Sequence, residues 1–240
     1  NAFNNGNLDS YWFGSGTPTY LIEMLKRFDV LPSEIGEREV VAEDFDAPTE
    51  QMTDITPLLY QSGYLTIKSY DELSCLYELD IPNREIRIGL YRSLLPYYVK
   101  GSREAGNTVI AKMSVCIRRH QMDEALRLLK SFLATIPYAG QPLKEAHYQQ
   151  MFYVIFSLLG LYVDVEVRTP QGRVDIVMRT ADTLYVIELK LGQSADAALR
   201  QIDLKHYPER FALCGLPVVK VGINFDREQR TLGDWVIVPA

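Results

Sequence analysis

Cysteine is scarce in this chain: Cys75, Cys116 and Cys214 are the only three in 240 residues. They are scattered and odd in number. That argues against a disulfide framework or a cysteine-based zinc site, and it suits a reducing cytoplasm, the expected location. Apolar runs are short, none approaching the ~20 residues a helix needs to cross a bilayer, so no membrane association is expected. Nucleotide motifs are missing too. Without a G-x-x-x-x-G-K-[ST] loop the chain is not expected to bind or hydrolyse ATP. No G-x-G-x-x-G fingerprint supports a dinucleotide site. Gly14-Ser15-Gly16 lacks the strand-to-helix setting of a G-x-S-x-G nucleophile elbow. His120 and His206 have no partner at metal-ligand spacing.

Positive charge is also in short supply. The net charge is −6. Residues 141–240 hold eleven Lys/Arg against twelve Asp/Glu, and residues 1–140 hold fourteen against nineteen. Bulk charge therefore gives no support for strong phosphate binding, which depends on Lys and Arg. A local basic patch can still form from Arg168, Arg173, Lys190, Arg200 and Lys205.

With 47% apolar residues and no long polar tract, the chain is expected to be globular throughout, with room for one large or two small domains. Thr17-Pro18 reads as an N-cap and first helical position, followed by Leu21, Ile22, Leu25 and Phe28 on one helix face. A short helix near residues 53–62, strands over 64–69 and 74–81, and a helix after Asn83 come next. Helix followed by hairpin suggests a winged-helix-like module. Residues 105–136 have the apolar spacing of helix. Ile136-Pro137-Tyr138-Ala139-Gly140-Gln141-Pro142 is the best linker candidate, because proline and glycine break helices. The expected division is a helical and winged-helix-like region, 1–136, and a second domain, 141–240. The chain begins at Asn1 with residues that read as mid-protein sequence and show no secretory signal, so it is expected to be a C-terminal piece of a longer protein.

The second domain holds the chemistry. Residues 144–160 follow a helical pattern, with 148, 152, 155, 156 and 159 on one apolar face. A strand over 161–167 comes next. Arg173-Val174-Asp175-Ile176-Val177-Met178 and Leu184-Tyr185-Val186-Ile187-Glu188-Leu189-Lys190 then flank a polar turn, which reads as a β-hairpin. Glu188 and Lys190 point to the same face, and hairpin pairing can bring Asp175 beside them. Two converging carboxylates suit a hard cation such as Mg²⁺, and a nearby lysine can orient water or offset a developing oxyanion. The flat alternative is a surface ion pair on an edge strand. The apolar neighbours Val186, Ile187, Leu189 and Leu191 argue for a buried strand instead. A helix over 195–205, carrying Gln201 and Lys205 one turn apart, and strands over 217–223 and 235–238 complete the order.

These residues resemble the PD-(D/E)XK nuclease superfamily. Asp175 matches its first acidic position, Glu188 its second and Lys190 its lysine, and Glu145 stands where many members carry a glutamate on the first core helix. Gly172-Arg173-Val174-Asp175-Ile176-Val177, Ile187-Glu188-Leu189-Lys190 and Arg200-Gln201-Ile202 with Lys205 and Tyr207 resemble a nuclease-like domain of anaerobic bacteria, fused C-terminally to AAA-ATPase-like proteins. Tyr11 to Ile22, Pro57 to Ile67 and Leu79 to Ile86 resemble segments that follow the ATPase core there. An acidic residue often found just before the Gly-Arg step is not kept.

The resemblance implies an α/β (α+β) chain in which the N-terminal region leads into a restriction-endonuclease-like αβββαβ core. It implies a nuclease that uses Mg²⁺ or Mn²⁺, with Asp175, Glu188, Glu145 and the backbone carbonyl of Leu189 as metal ligands. Lys190 joins Asp175, Glu188 and Glu145 as catalytic, and Gln201, Lys205 and Arg173 bind substrate. The implied partners are nucleic acid, DNA first, an N-terminal ATPase-like region, and a second copy in a homodimer. The acidic balance and the missing acidic position support an alternative, an inactive nuclease fold serving as an interaction or sensing module.

Overall fold

A computed structural model describes residues 17–46, 48, 52–99, 103–136, 145–160, 164–168, 173–204 and 215–239. The chain forms two compact units divided between Leu94 and Leu95. The expected division at 136–141 falls inside the second unit, and the linker candidate after Ile136 lies outside the described residues.

The first unit opens with helix α1 (Thr17–Arg27) and a short 3-10 turn (Pro32–Glu34), followed by β1 (Arg38–Val40), α2 (Ala42–Phe45), α3 (Thr56–Gln61), β2 (Thr66–Asp71) and β3 (Leu76–Asp80). Helix α4 (Arg84–Tyr98) begins here and crosses the division. Leu21 and Leu25 of α1 are buried, in keeping with the expected apolar stripe. The strands form an antiparallel sheet in the order β1-β3-β2. Strand β1 and helix α2, three and four residues long, were not foreseen.

The second unit contains α5 (Arg103–Arg118), α6 (Met122–Ala134), α7 (Glu145–Leu159), β4 (Asp164–Arg168), β5 (Arg173–Arg179), β6 (Leu184–Leu191), α8 (Ala195–Leu204), β7 (Val218–Asp226) and β8 (Thr231–Pro239). From α7 to β7 this is the expected αβββαβ order. The helical stretch over 105–136 is two helices. His120 takes a left-handed backbone with φ 58° and turns the chain between them.

Five strands make one mixed sheet in the order β4-β5-β6-β7-β8. Only β6 and β7 run parallel, with α8 as the crossover. Two helices pack on one sheet face. Tyr148 and Phe152 of α7 meet the Phe225 ring at 4.8 and 5.2 Å. On α6, Asp123 accepts from the Trp235 indole N–H at 2.9 Å, and the Lys130 ammonium lies 5.7 Å from the centre of the Trp235 ring. Helix α8 covers the other face, where Lys220 of β7 donates to Asp203 at 3.0 Å. Strand β6 is buried at every residue, as a central strand covered on both sides must be.

The Arg127 guanidinium and then the Trp235 N–H hold the Asp123 carboxyl below the usual carboxylate range. A lowered folded-state value stabilises the fold above the unfolded-state value, and that contribution is lost as pH falls through the folded one. The stability advantage of wild type over Asp123→Ala should therefore hold at pH 7 and shrink below about pH 4, measured by urea unfolding across that range.

Candidate active site

Antiparallel pairing of β5 with β6 places Asp175 opposite Glu188 and Arg173 opposite Lys190. Directly opposed residues share a sheet face, and so do residues two apart on one strand. Asp175, Glu188 and Lys190 therefore converge on the α8 side of the sheet. The register follows from the turn. Arg179 pairs with Leu184, and Thr180 clamps the loop: its N–H donates to the Thr183 carbonyl at 2.9 Å, and its hydroxyl accepts from the Thr183 N–H at 3.0 Å.

Burial makes this cluster unusual. Relative exposure is 6% for Asp175, 0% for Glu188 and 8% for Lys190, and these are the only buried charged side chains among the described residues. The Lys190 Nζ lies 3.5 Å from Glu188 Oε1. Two acids and one base in the same row are an excess of negative charge in a poorly hydrated place. Like charges so placed repel one another, and desolvation adds to the cost. A divalent cation would relieve both effects, and the donors suit a hard one, being carboxylate oxygens without thiolate or imidazole.

The row continues on either side. Arg168 of the edge strand β4 pairs with Asp175. Its side chain is exposed and bonded to Glu166 through Nε at 2.9 Å. On β7 the partner of Glu188 is Gly222. A Cβ built there would collide with the Ala195 carbonyl oxygen and lie 3.0 Å from the Leu199 backbone nitrogen. The missing side chain lets the first turns of α8 settle against the strand beside Glu188. Glycine inside a strand signals such a close approach, and this sign was available in the sequence but not used.

The other expected residues are placed as follows. Gln201 lies half-buried on α8. The backbone of Arg173 is in β5, opposite Lys190. Lys205 lies outside the described residues. Glu145 opens α7, the helix on the opposite sheet face, and its Oε2 accepts from Arg227 Nη1 at 2.7 Å. The Arg227 guanidinium also occupies the space beside Gly192, just past Lys190, where a built Cβ would be 3.0 Å from Nε. Arg227 was not foreseen as a neighbour. Among the described residues no three His, Cys, Asp or Glu side chains gather as a ready-made metal cage.

Residues 143–235 match the family described as the PD-(D/E)XK nuclease superfamily. This part of the chain is thus similar to nuclease-type domains, and members of that superfamily typically use divalent metal ions. Over 238 residues the chain is 28% identical to a protein of Azotobacter chroococcum mcd 1 described as "Uncharacterized protein in vnfD 5′ region", which covers 95% of this chain and 46% of that protein. The chain thus spans about half the length of the curated relative it matches. No solved structure matches it. Among the described residues no helix is long and apolar enough to cross a membrane.

Gly222→Ala should cost about 1–3 kcal/mol through overpacking, read as a lower denaturant midpoint. A midpoint unchanged from wild type would show that α8 does not press on the strand at this position.

Proposed function

We propose that the second unit is a metal-dependent phosphodiesterase acting on nucleic acid, with DNA as the first substrate to test. The observation that carries this reading is the buried row Asp175, Glu188 and Lys190, placed by strand pairing on one face of the sheet. Asp175 and Glu188, with the backbone carbonyl of Leu189, would hold Mg²⁺ or Mn²⁺. The bound ion supplies Lewis acidity toward the phosphoryl oxygen and a more acidic attacking water. Glu145 is engaged with Arg227, so it joins the ligand set only by exchanging that partner.

The chain's own groups do the rest. The Lys190 ammonium, held beside Glu188, orients the attacking water and offsets charge gathering on the phosphoryl oxygens. Gln201, Lys205 and Arg173 bind the phosphate backbone. Arg168 can reach the same row from the open edge of the sheet once it leaves Glu166. The three-stranded sheet and helices of the first unit suit a winged-helix-like module, and we assign it to contact with an ATPase-like region. A pair of copies would let two such sites act on opposite strands. The free thiols Cys75 and Cys116 support a cytoplasmic location.

The net charge of −6 supports a second reading, an interaction module that retains the fold without cleaving. A cleavage panel separates the two: single- and double-stranded DNA and RNA with Mg²⁺ or Mn²⁺, wild type against Glu188→Ala. The nuclease reading predicts metal-dependent cutting by wild type that the variant lacks. Cutting retained by Glu188→Ala would refute this site, and no cutting by either protein favours the interaction module.

Lys190→Met should lower kcat by roughly 10²–10³-fold, the scale of losing one group that stabilises developing charge. Its Mn²⁺ affinity, followed by calorimetry, should stay near that of wild type or rise. A kcat within a few-fold of wild type would remove Lys190 from the chemistry.

A further inference from the structure

Strand β7 brings a fourth polar side chain to the row. In the parallel pairing of β6 with β7, Asn224 is the register partner of Lys190, so the two residues share a sheet face on neighbouring strands. Its placement is built by an irregularity. Ile223 pairs with Trp235 and Phe225 with Leu232, so Gly233 and Asp234 of β8 together face Asn224 alone. That is a β-bulge, a device that re-aims a side chain and recurs beside active sites. Here it brings Asp234 to the same face as Asn224. The Asn224 Nδ2 donates to Asp234 Oδ1 at 3.0 Å. Gly233 makes room for this amide, since a Cβ built there would lie 2.6 Å from Nδ2.

An ionised carboxylate only accepts hydrogen bonds, so the bond to Asp234 fixes which end of the amide faces β8. The amide oxygen then faces away from Asp234. That atom, Oδ1, is buried and accepts no hydrogen bond. Leaving such an acceptor unsatisfied costs roughly 1–3 kcal/mol. Lys190, one strand away, has three donors to place, and its Nζ stands 3.5 Å from Glu188 Oε1, too far for a good hydrogen bond.

We propose that Asn224, held by Asp234 across the bulge, is a positioning residue whose Oδ1 receives the Lys190 ammonium when Glu188 is engaged by a divalent cation. This rests on the metal-dependent reading of the site. Glu188 cannot serve fully as metal ligand and lysine partner at once, and Asn224 supplies the second partner without adding charge. The ammonium then stays in register with the reacting phosphate instead of following the carboxylate.

The test reads Lys190 directly, in the full chain with saturating Mg²⁺. The ¹⁵N-ammonium resonance of Lys190, assigned through Lys190→Met, should be protected from exchange in wild type and lost or shifted in Asn224→Ala. Alongside it, kcat of Asn224→Ala should fall roughly 10- to 100-fold, the cost of a misplaced group, with KM, Mn²⁺ affinity and Tm near wild type. The exchanged pair N224D/D234N, which restores a donor and acceptor across the bulge and keeps an oxygen toward Lys190, should recover most of the lost rate. A Lys190 signal that is the same in wild type and Asn224→Ala, or absent from both, overturns the proposal, as does a rate loss accompanied by lost metal affinity. Failure of the underlying metal reading is seen separately, as wild type that binds no Mn²⁺.

Discussion

Two carboxylates and one ammonium buried on a single sheet face are the interaction on which the rest of this domain depends. No other charged residue is buried among those whose side chains the structure describes. Placing Asp175 opposite Glu188 brings like charges together where water screens them poorly, and a fold selected for stability alone would fill those positions with apolar residues. The arrangement becomes reasonable when a cation is part of the folded state. On that view the domain tolerates electrostatic strain in order to hold a binding site ready.

The sheet is built to sustain this. Strand β6 lies at its centre and is buried along its whole length, so Glu188 and Lys190 cannot swing into solvent. The β5–β6 turn fixes the register that sets Asp175 against Glu188. Gly222 lets α8 close over the neighbouring strand, and α7 and α6 supply an apolar layer on the far face. In the proposed nuclease, rigid strands would hold the reacting groups while helix and edge strand would offer substrate contacts. That division of labour suits catalysis by positioning, where errors of about 1 Å are costly.

Much of this was legible in the chain. The β5–β6 hairpin announces itself through β-branched residues on either side of a polar turn, and the face shared by Glu188 and Lys190 follows from strand alternation. Helix α7 is readable from its apolar spacing. Other features leave little trace. The turn at His120 rests on a left-handed backbone in a residue other than glycine, as do those at Asp29, Glu37, Cys75 and Arg230. Nothing local in composition marks such positions in advance. The bulge at Asn224 shifts register by one residue and so decides which face Asp234 meets. The ion pair of Glu145 with Arg227 joins residues 82 apart and depends on tertiary packing alone.

The most direct test of the central claim is thermal unfolding of wild type and Asp175→Asn, each in EDTA and in Mg²⁺. If the acid pair is a cation site, Mg²⁺ raises the Tm of wild type, with about 2.7 kcal/mol of stabilisation expected at a hundred times Kd. Asp175→Asn should gain little from Mg²⁺, and in EDTA it should be at least as stable as wild type, because one of two like buried charges is gone. Equal responses to Mg²⁺ in the two proteins, with the variant clearly less stable in EDTA, would contradict the account and make Asp175 a structural partner.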